Sequence, residues 1–185
     1  MIIWVALETE NQMPETKRDV MKIASSLGRA DLPCLALPLH LSLKISFPVP
    51  EDKAEAVRRA IREIFAGVAP FPIRFRGAER RDGLIWLSAE PEFALRTLHE
   101  ALDEKMREGF DVPQTVFDRD FRFHVTLFQD LEDAEAAKAL GAVEACVLPS
   151  RIWAKSVLIG SSPGGLPGTF RVDEILPLSD PGADR

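Results

Sequence analysis

Apolar residues recur along this chain in two rhythms, one of period two and one of helical spacing, and the rhythms take turns. Met1 to Glu8 is apolar and rich in β-formers, and Thr9 to Pro14 supplies the residues that end a strand. Between Glu15 and Leu27, Val20, Met21, Ile23 and Ala24 fall at helical spacing, with Gly28 where a C-terminal cap belongs. Leu37 to Phe47 alternates: Leu39, Leu41, Leu43 and Ile45 take one side, His40, Ser42, Lys44 and Ser46 the other. Pro48 and Pro50 stop that strand. An amphipathic helix over Glu51–Ala66 and an alternating strand over Phe71–Arg76 complete the first half.

The second half repeats this order. It predicts a strand over Leu84–Ala89, a helix over Glu92–Arg107 ended by Gly109, and an alternating strand over Phe121–Phe128. A helix over Leu131–Leu140 and strands over Ile152–Ile159 and Thr169–Leu176 follow, the last two joined by the loop Gly160–Gly168. Laying His40 on His124 offsets the halves by about 84 residues (124 minus 40), and Ile3-Trp4-Val5 then echoes Ile85-Trp86-Leu87. The expectation is one unit over residues 1–178, with halves of about 1–80 and 81–178, and a frayed polar tail over 179–185.

Composition narrows the function classes. At 46% hydrophobic and 28% charged residues the chain can bury a core and is not disordered. Its net charge of -6 opposes a broad basic face for long duplexes, so a nucleic-acid substrate would be met locally, at an end or a single phosphate. Cys34 and Cys146 form neither a disulfide framework nor a metal knuckle, and read as small buried hydrophobes. With no membrane-length apolar run and no basic leader, the expectation is a cytoplasmic protein that does not engage a membrane, taken as a monomer.

The candidate chemistry lies in His40-Leu41-Ser42-Leu43 and His124-Val125-Thr126-Leu127. On a strand, positions i and i+2 share a face, so each imidazole projects beside a hydroxyl while the apolar neighbours anchor the strand. Phosphoryl chemistry needs that pairing: a group titrating near neutrality to move protons, and a neutral donor to hold a non-bridging oxygen. One such motif is weak, since a hydroxyl at i+2 with apolar flanks follows a histidine by chance in roughly one case in forty. Two among three histidines, at equivalent places in the two halves, favour function.

With these motifs the chain resembles the 2H phosphoesterase superfamily, named for two HxT/S motifs, and within it the bacterial 2'-5' RNA ligase and RNA cyclic phosphodiesterase branch. The likeness runs from the first strand to the last. It implies an α+β, bilobal, pseudo-twofold fold, with two antiparallel sheets facing a central cleft and helices outside. It further implies that His40 and His124 act as general base and general acid, that Ser42 and Thr126 bind phosphate, and that no metal or other cofactor takes part. The substrate it implies is an RNA end or a small cyclic nucleotide. Ser42 stands where threonine is common, Phe123 where proline is frequent, and Gln129 where many relatives have arginine.

Further candidates follow from position. Lys44 and Arg122 share parity with the motif histidines and could neutralise a phosphate, the competing reading being solvated charges at strand ends. Phe128, Trp4 and Trp86 could stack a base, with core packing the expected role of both tryptophans. Arg74, Arg76, Arg80 and Arg81 form a basic cluster suited to steering or to a solvated hairpin, and His99, inside a helix without a hydroxyl at i+2, reads as a surface residue. Two alternatives to the phosphoesterase are an inert RNA- or nucleotide-binding module and a metal site on the two histidines. The latter is the weaker, because neither motif carries a second ligand at suitable spacing.

Overall fold

A computed structural model describes residues 1–179. The first strand, β1 (Ile2–Glu8), leads to α1 (Pro14–Ser26), whose C-terminal end is turned by Gly28 at φ 71°. Then come β2 (His40–Pro48), α2 (Ala54–Phe65), β3 (Phe71–Arg81), β4 (Leu84–Ala89) and α3 (Phe93–Phe110). A short helix α4 (Val116–Arg119) precedes β5 (His124–Phe128) and α5 (Asp133–Glu144), and β6 (Arg151–Ala154), β7 (Ser156–Ser162) and β8 (Arg171–Pro177) end the chain. The expected tail over 179–185 lies, apart from Ser179, outside the described residues.

The α+β class is as the sequence implied, but the strands do not form two separate sheets. They make one antiparallel sheet of eight strands in the order β6-β3-β4-β5-β2-β1-β7-β8. β2 and β5 pair at Leu41 and Val125, and that contact joins what would otherwise be two four-stranded halves. The stretch expected as one strand over Ile152–Ile159 is two: Arg151–Ala154 pairs with β3 at one sheet edge, while Ser156–Ser162 pairs with β1 on the other side. Helix α3 runs past Gly109, and its turn is made instead by Asp111 at φ 58°.

All four long helices cover one face. Ile3, Val5 and Leu7 of β1, Leu41 and Leu43 of β2, and Ile85 and Leu87 of β4 meet Val20 and Ile23 of α1, Val57 and Ile61 of α2, Leu95 and Leu102 of α3 and Ala139 and Val143 of α5 in one core. Helical spacing and strand alternation thus converge on a single apolar layer, whose burial is the main favourable contribution to folding. The opposite face of β1 carries a separate small cluster, Trp4, Ala6 and Leu158. No described helix is long and apolar enough to cross a membrane.

Two irregularities decide which side chains reach which face. Ala6 pairs with Ser42 and Val5 with Lys44, which leaves Leu43 as an extra residue in β2. In the same way Trp86 pairs with Thr126 and Ile85 with Phe128, which leaves Leu127 extra in β5. Such a bulge breaks strict alternation. After each motif hydroxyl, two consecutive residues therefore turn to the helix-covered face: Leu43 and Lys44 in one strand, Leu127 and Phe128 in the other, none more than 2% exposed.

Candidate active site

Both motif histidines lie at the first residue of a central strand, β2 for His40 and β5 for His124. Since Leu41 pairs with Val125, the antiparallel register sets His40 against Thr126 and Ser42 against His124. Each imidazole thus faces the hydroxyl of the other motif, and the two imidazoles are diagonal neighbours across the seam. The facing polar residues are half-buried, whereas Leu41 and Val125 beneath them are fully buried.

The two imidazoles are held alike. Nδ1 of His40 lies 2.7 Å from the Pro38 carbonyl oxygen, and Nδ1 of His124 lies 2.6 Å from that of Arg122. A carbonyl only accepts, so in each ring Nδ1 carries the proton and donates it, which leaves Nε2 as the exchangeable position. Neither Nε2, nor the hydroxyl of Ser42 or Thr126, has a hydrogen-bond partner among the described residues, and none of these atoms is sealed from solvent.

A tryptophan from the next strand lies against each ring. Trp4 of β1 is 5.0 Å from His40 between ring centroids at 43°, and Trp86 of β4 is 4.9 Å from His124 at 35°. The tryptophans are buried, as expected, but on the site face rather than in the helix-side core. The Ile-Trp echo between the halves does not mark equivalent ladder positions, because Ala6, not Trp4, sits opposite Ser42 where Trp86 sits opposite Thr126. Trp4 reaches its place because it pairs with Gly160, where a Cβ would overlap the indole and the Arg171 carbonyl. The sequence offered both tryptophans as base-stacking residues while favouring the core, but not their place against the imidazoles, and it put Gly160 in a loop rather than in β7. Neighbouring-strand pairing, which alone reveals them, is not written in any one strand.

Burial pushes both imidazoles below their ordinary value. For His40 the bond to Pro38 opposes this, while the charges of His124 and Lys17 add to it. For His124 burial is again the largest cause, opposed by the bond to Arg122 and the charge of Glu79. Because a charge on His124 disfavours one on His40, the pair resists double protonation.

The remaining candidates separate. Lys44 does not share the site face: its bulge turns it inward, where Nζ lies 2.6 Å from Asp103 of α3 and 3.3 Å from Asp118 of α4. Phe128, fully buried in the core by the matching bulge, is not available to stack a base. Arg122 precedes β5 in a loop, is exposed, and approaches Asp120 at 3.8 Å. His99 is not at the surface. At 7% exposure it lies on the inward stripe of α3 with Leu95 and Leu102, and its nitrogens sit 2.8 Å from the Leu43 carbonyl and 2.9 Å from that of Asp118. Of the basic cluster, Arg74 is tied to Glu90 and Glu92 and Arg80 to Asp133, while Arg76 lines a cavity beside Trp86. Cys34 and Cys146 are unbridged and half-buried against the core.

Two cavities flank the histidines. One of about 380 Å³ is bordered by Trp4, Leu37, His40, Ser42, Thr126 and Phe170, with Gln129 at its edge. Another of about 520 Å³ lies beside Trp86, Ser88 and Arg122. Among the described residues no three His, Cys, Asp or Glu side chains come together to hold a metal ion.

Known proteins resemble this chain in sequence and in fold. A family model described as the 2'-5' RNA ligase superfamily matches residues 15–176. A protein of Bacillus licheniformis provisionally named a phosphoesterase is 31% identical over 131 residues, covering 69% of this chain and 74% of that protein. Crystal structures of Escherichia coli LigT with NADP+ and with 3'-AMP superpose with TM-scores of 0.62 and 0.60, at 19% and 17% identity, each covering 96% of this chain and respectively 97% and 98% of LigT. These structures are alike in fold.

Proposed function

Because the chain belongs to the 2'-5' RNA ligase superfamily, we propose that it is a metal-independent phosphoesterase acting on cyclic phosphodiesters, typified by a 2',3'-cyclic phosphate, or on 2'-5' linked RNA or nucleotide ends. In this reading His40 and His124 exchange protons with the reacting oxygens and Ser42 and Thr126 hold the phosphate. The observation that carries it is the matched pair of imidazoles, each fixed through Nδ1 to the carbonyl two residues back and each facing the other motif's hydroxyl.

Hydrolysis then proceeds from the singly protonated pair. The neutral imidazole takes a proton from water at Nε2 as the water oxygen attacks phosphorus. The imidazolium gives its Nε2 proton to the ribose oxygen that departs, and the two rings exchange protonation states. Ser42 and Thr126 donate to the non-bridging oxygens, on which charge accumulates in the transition state. With a 5'-hydroxyl in place of water the same groups would join RNA ends: that oxygen attacks phosphorus and gives its proton to the neutral imidazole, while one ribose oxygen departs with the proton of the imidazolium. The same reading treats residues 1–178 as one duplicated unit, supported by the matching bulge after each motif and the matching imidazole anchors.

The test is a panel of nucleoside 2',3'-cyclic phosphates, ADP-ribose cyclic phosphate and 2'-5' linked RNA, run with and without EDTA. Turnover unaffected by EDTA is expected. Loss on chelation and restoration by zinc or manganese would replace the proposal with metal-assisted hydrolysis. Tight binding without product would replace it with a binding module.

A further inference from the structure

The cavity beside His124 has a composition that hydrolysis of a lone cyclic phosphate does not require. Four arginines line it: Arg76 of β3, Arg96 of α3, Arg119 of α4 and Arg122 of the loop before β5. The chain is acidic, with 29 Asp and Glu against 23 Lys and Arg, and elsewhere Arg29, Arg58, Arg62, Arg74 and Arg80 are each held by a carboxylate. Exposed Arg59, Arg81 and Arg151, on three different elements, also lack a carboxylate within 4.0 Å among the described residues, but at this cavity such arginines gather. Among the described residues Arg76, Arg96 and Arg119 have no carboxylate within 4.0 Å, and Arg122 has only Asp120 at 3.8 Å, too long for a hydrogen bond. Glu79, Glu100 and Asp120 also border the space, so it is not a uniform positive field. Its two deepest acids, Asp103 and Asp118, are already engaged by Lys44. Arginines brought to one cavity from four segments, three of them without an acid partner, are an arrangement suited to binding a phosphate by forked, charge-assisted bonds.

The cavity adjoins the reaction site. Its wall includes Trp86, which lies against His124, and Ser88, which pairs with His124 across β4 and β5. Arg122 supplies both a lining side chain and the carbonyl that fixes His124 Nδ1. On the far side of the seam, the cavity beside His40 is lined instead by Trp4, Leu37 and Phe170 and carries no arginine. A ligand laid across the two histidines thus meets an aromatic, largely apolar hollow at one end and unpaired guanidinium groups at the other.

We propose that the arginine-lined cavity is a subsite for a second phosphate, so that the preferred substrate is a cyclic phosphodiester that carries a further phosphate. This rests on the phosphoesterase reading for the placement of the reacting phosphate at the histidines. The further phosphate is either the 5'-phosphate of a mononucleotide or the internucleotide phosphate of an RNA end, and both present the same oxygens to the arginines.

The test is calorimetric titration, which needs no turnover, with adenosine 3'-monophosphate, adenosine 3',5'-bisphosphate and a dinucleotide ending in a 3'-phosphate. The wild type is expected to bind a ligand with two phosphates at least about tenfold tighter than the monophosphate, the advantage of one charge-assisted contact. In Arg76→Gln/Arg119→Gln that ratio should fall to about one. Arg81→Gln, on an exposed hairpin residue outside the cavity, should keep the wild-type ratio. A greater advantage for the dinucleotide identifies an RNA end as the source, and a greater one for the bisphosphate a mononucleotide. Equal affinities in the wild type, or a ratio that survives the double substitution, would overturn the subsite. Its failure is separable from that of the catalytic reading: preferential binding without turnover leaves the subsite standing alone, and turnover without preference leaves only the phosphoesterase.

Discussion

Lys44→Met removes a buried cation that ties Asp103 of α3 and Asp118 of α4 to the back of the first motif strand. Methionine keeps most of the length of the lysine stem and takes away its charge. Lys44 is 1% exposed in its side chain, Asp118 1% and Asp103 9%, so both carboxylates would remain buried without their cation. Breaking a buried pair costs about 3–5 kcal/mol. Asp103 keeps the Gln114 amide at 2.8 Å and Asp118 keeps the Thr115 backbone and hydroxyl donors, which places the loss at the lower end, about 3 kcal/mol. At about 2–4 °C per kcal/mol for a chain of this size, Tm should fall by about 6–12 °C. The pH dependence provides a second arm. Burial pushes the Asp118 carboxyl up, but the Thr115 bonds and Lys44 outweigh it and hold it below its ordinary 3.8. An acid so lowered contributes stability that is present above the unfolded value and lost as pH falls through the folded one. The gap between wild type and Lys44→Met should therefore narrow below about pH 3.8. Because Lys44 and Leu43 form the bulge after Ser42, and His99 meets the Leu43 carbonyl, kcat should drop as well. A Tm within about 2 °C of wild type, with kcat unchanged, would refute the claim that this pair holds the site.

Other consequences can be checked alongside. His40→Ala and His124→Ala should each lower kcat by roughly 10²-fold to 10⁴-fold with the fold retained, and the double variant should lose far less than the product of the two; near-normal turnover in either single variant would remove the two-histidine mechanism. Since both imidazoles sit below their ordinary 6.5, the bell-shaped profile of kcat/KM should centre on the acid side of that value, and a centre above it would contradict the burial argument. The same lowering means that the unfolded chain binds these protons first, so stability should decline as pH falls below 6.5 and stop declining below the folded values; a His40→Asn/His124→Asn variant should show a shallower decline in chemical denaturation. Gly160→Ala should expel Trp4 at a cost of about 1–3 kcal/mol, and the His40 ring, less buried, should titrate closer to its ordinary value by NMR; an unmoved titration would show that Trp4 does not set the burial of His40.

Local patterning determined much of this molecule by itself. The apolar spacing of Val20, Ile23 and Ala24 and the alternation around Leu41 and Val125 are properties of short segments, and each element they imply is present. The two histidine-hydroxyl motifs were legible for the same reason, since residues two apart on a strand share a face whatever surrounds it. That local rule failed where pairing with a neighbour intervened. Extra residues at Leu43 and Leu127 turned Lys44 and Phe128 away from the site, because a bulge is set by the register of two strands and leaves no mark in one. His99 was misread for a related reason: a polar residue on an apolar stripe is buried only if partners wait there, here the carbonyls of Leu43 and Asp118. One sheet rather than two, the tryptophan against each imidazole and the arginines gathered from four segments depend on contacts between residues far apart in the chain. The sequence thus determined which groups could do chemistry, and only the tertiary structure decided which of them meet, because face and distance between strands are fixed by register and packing.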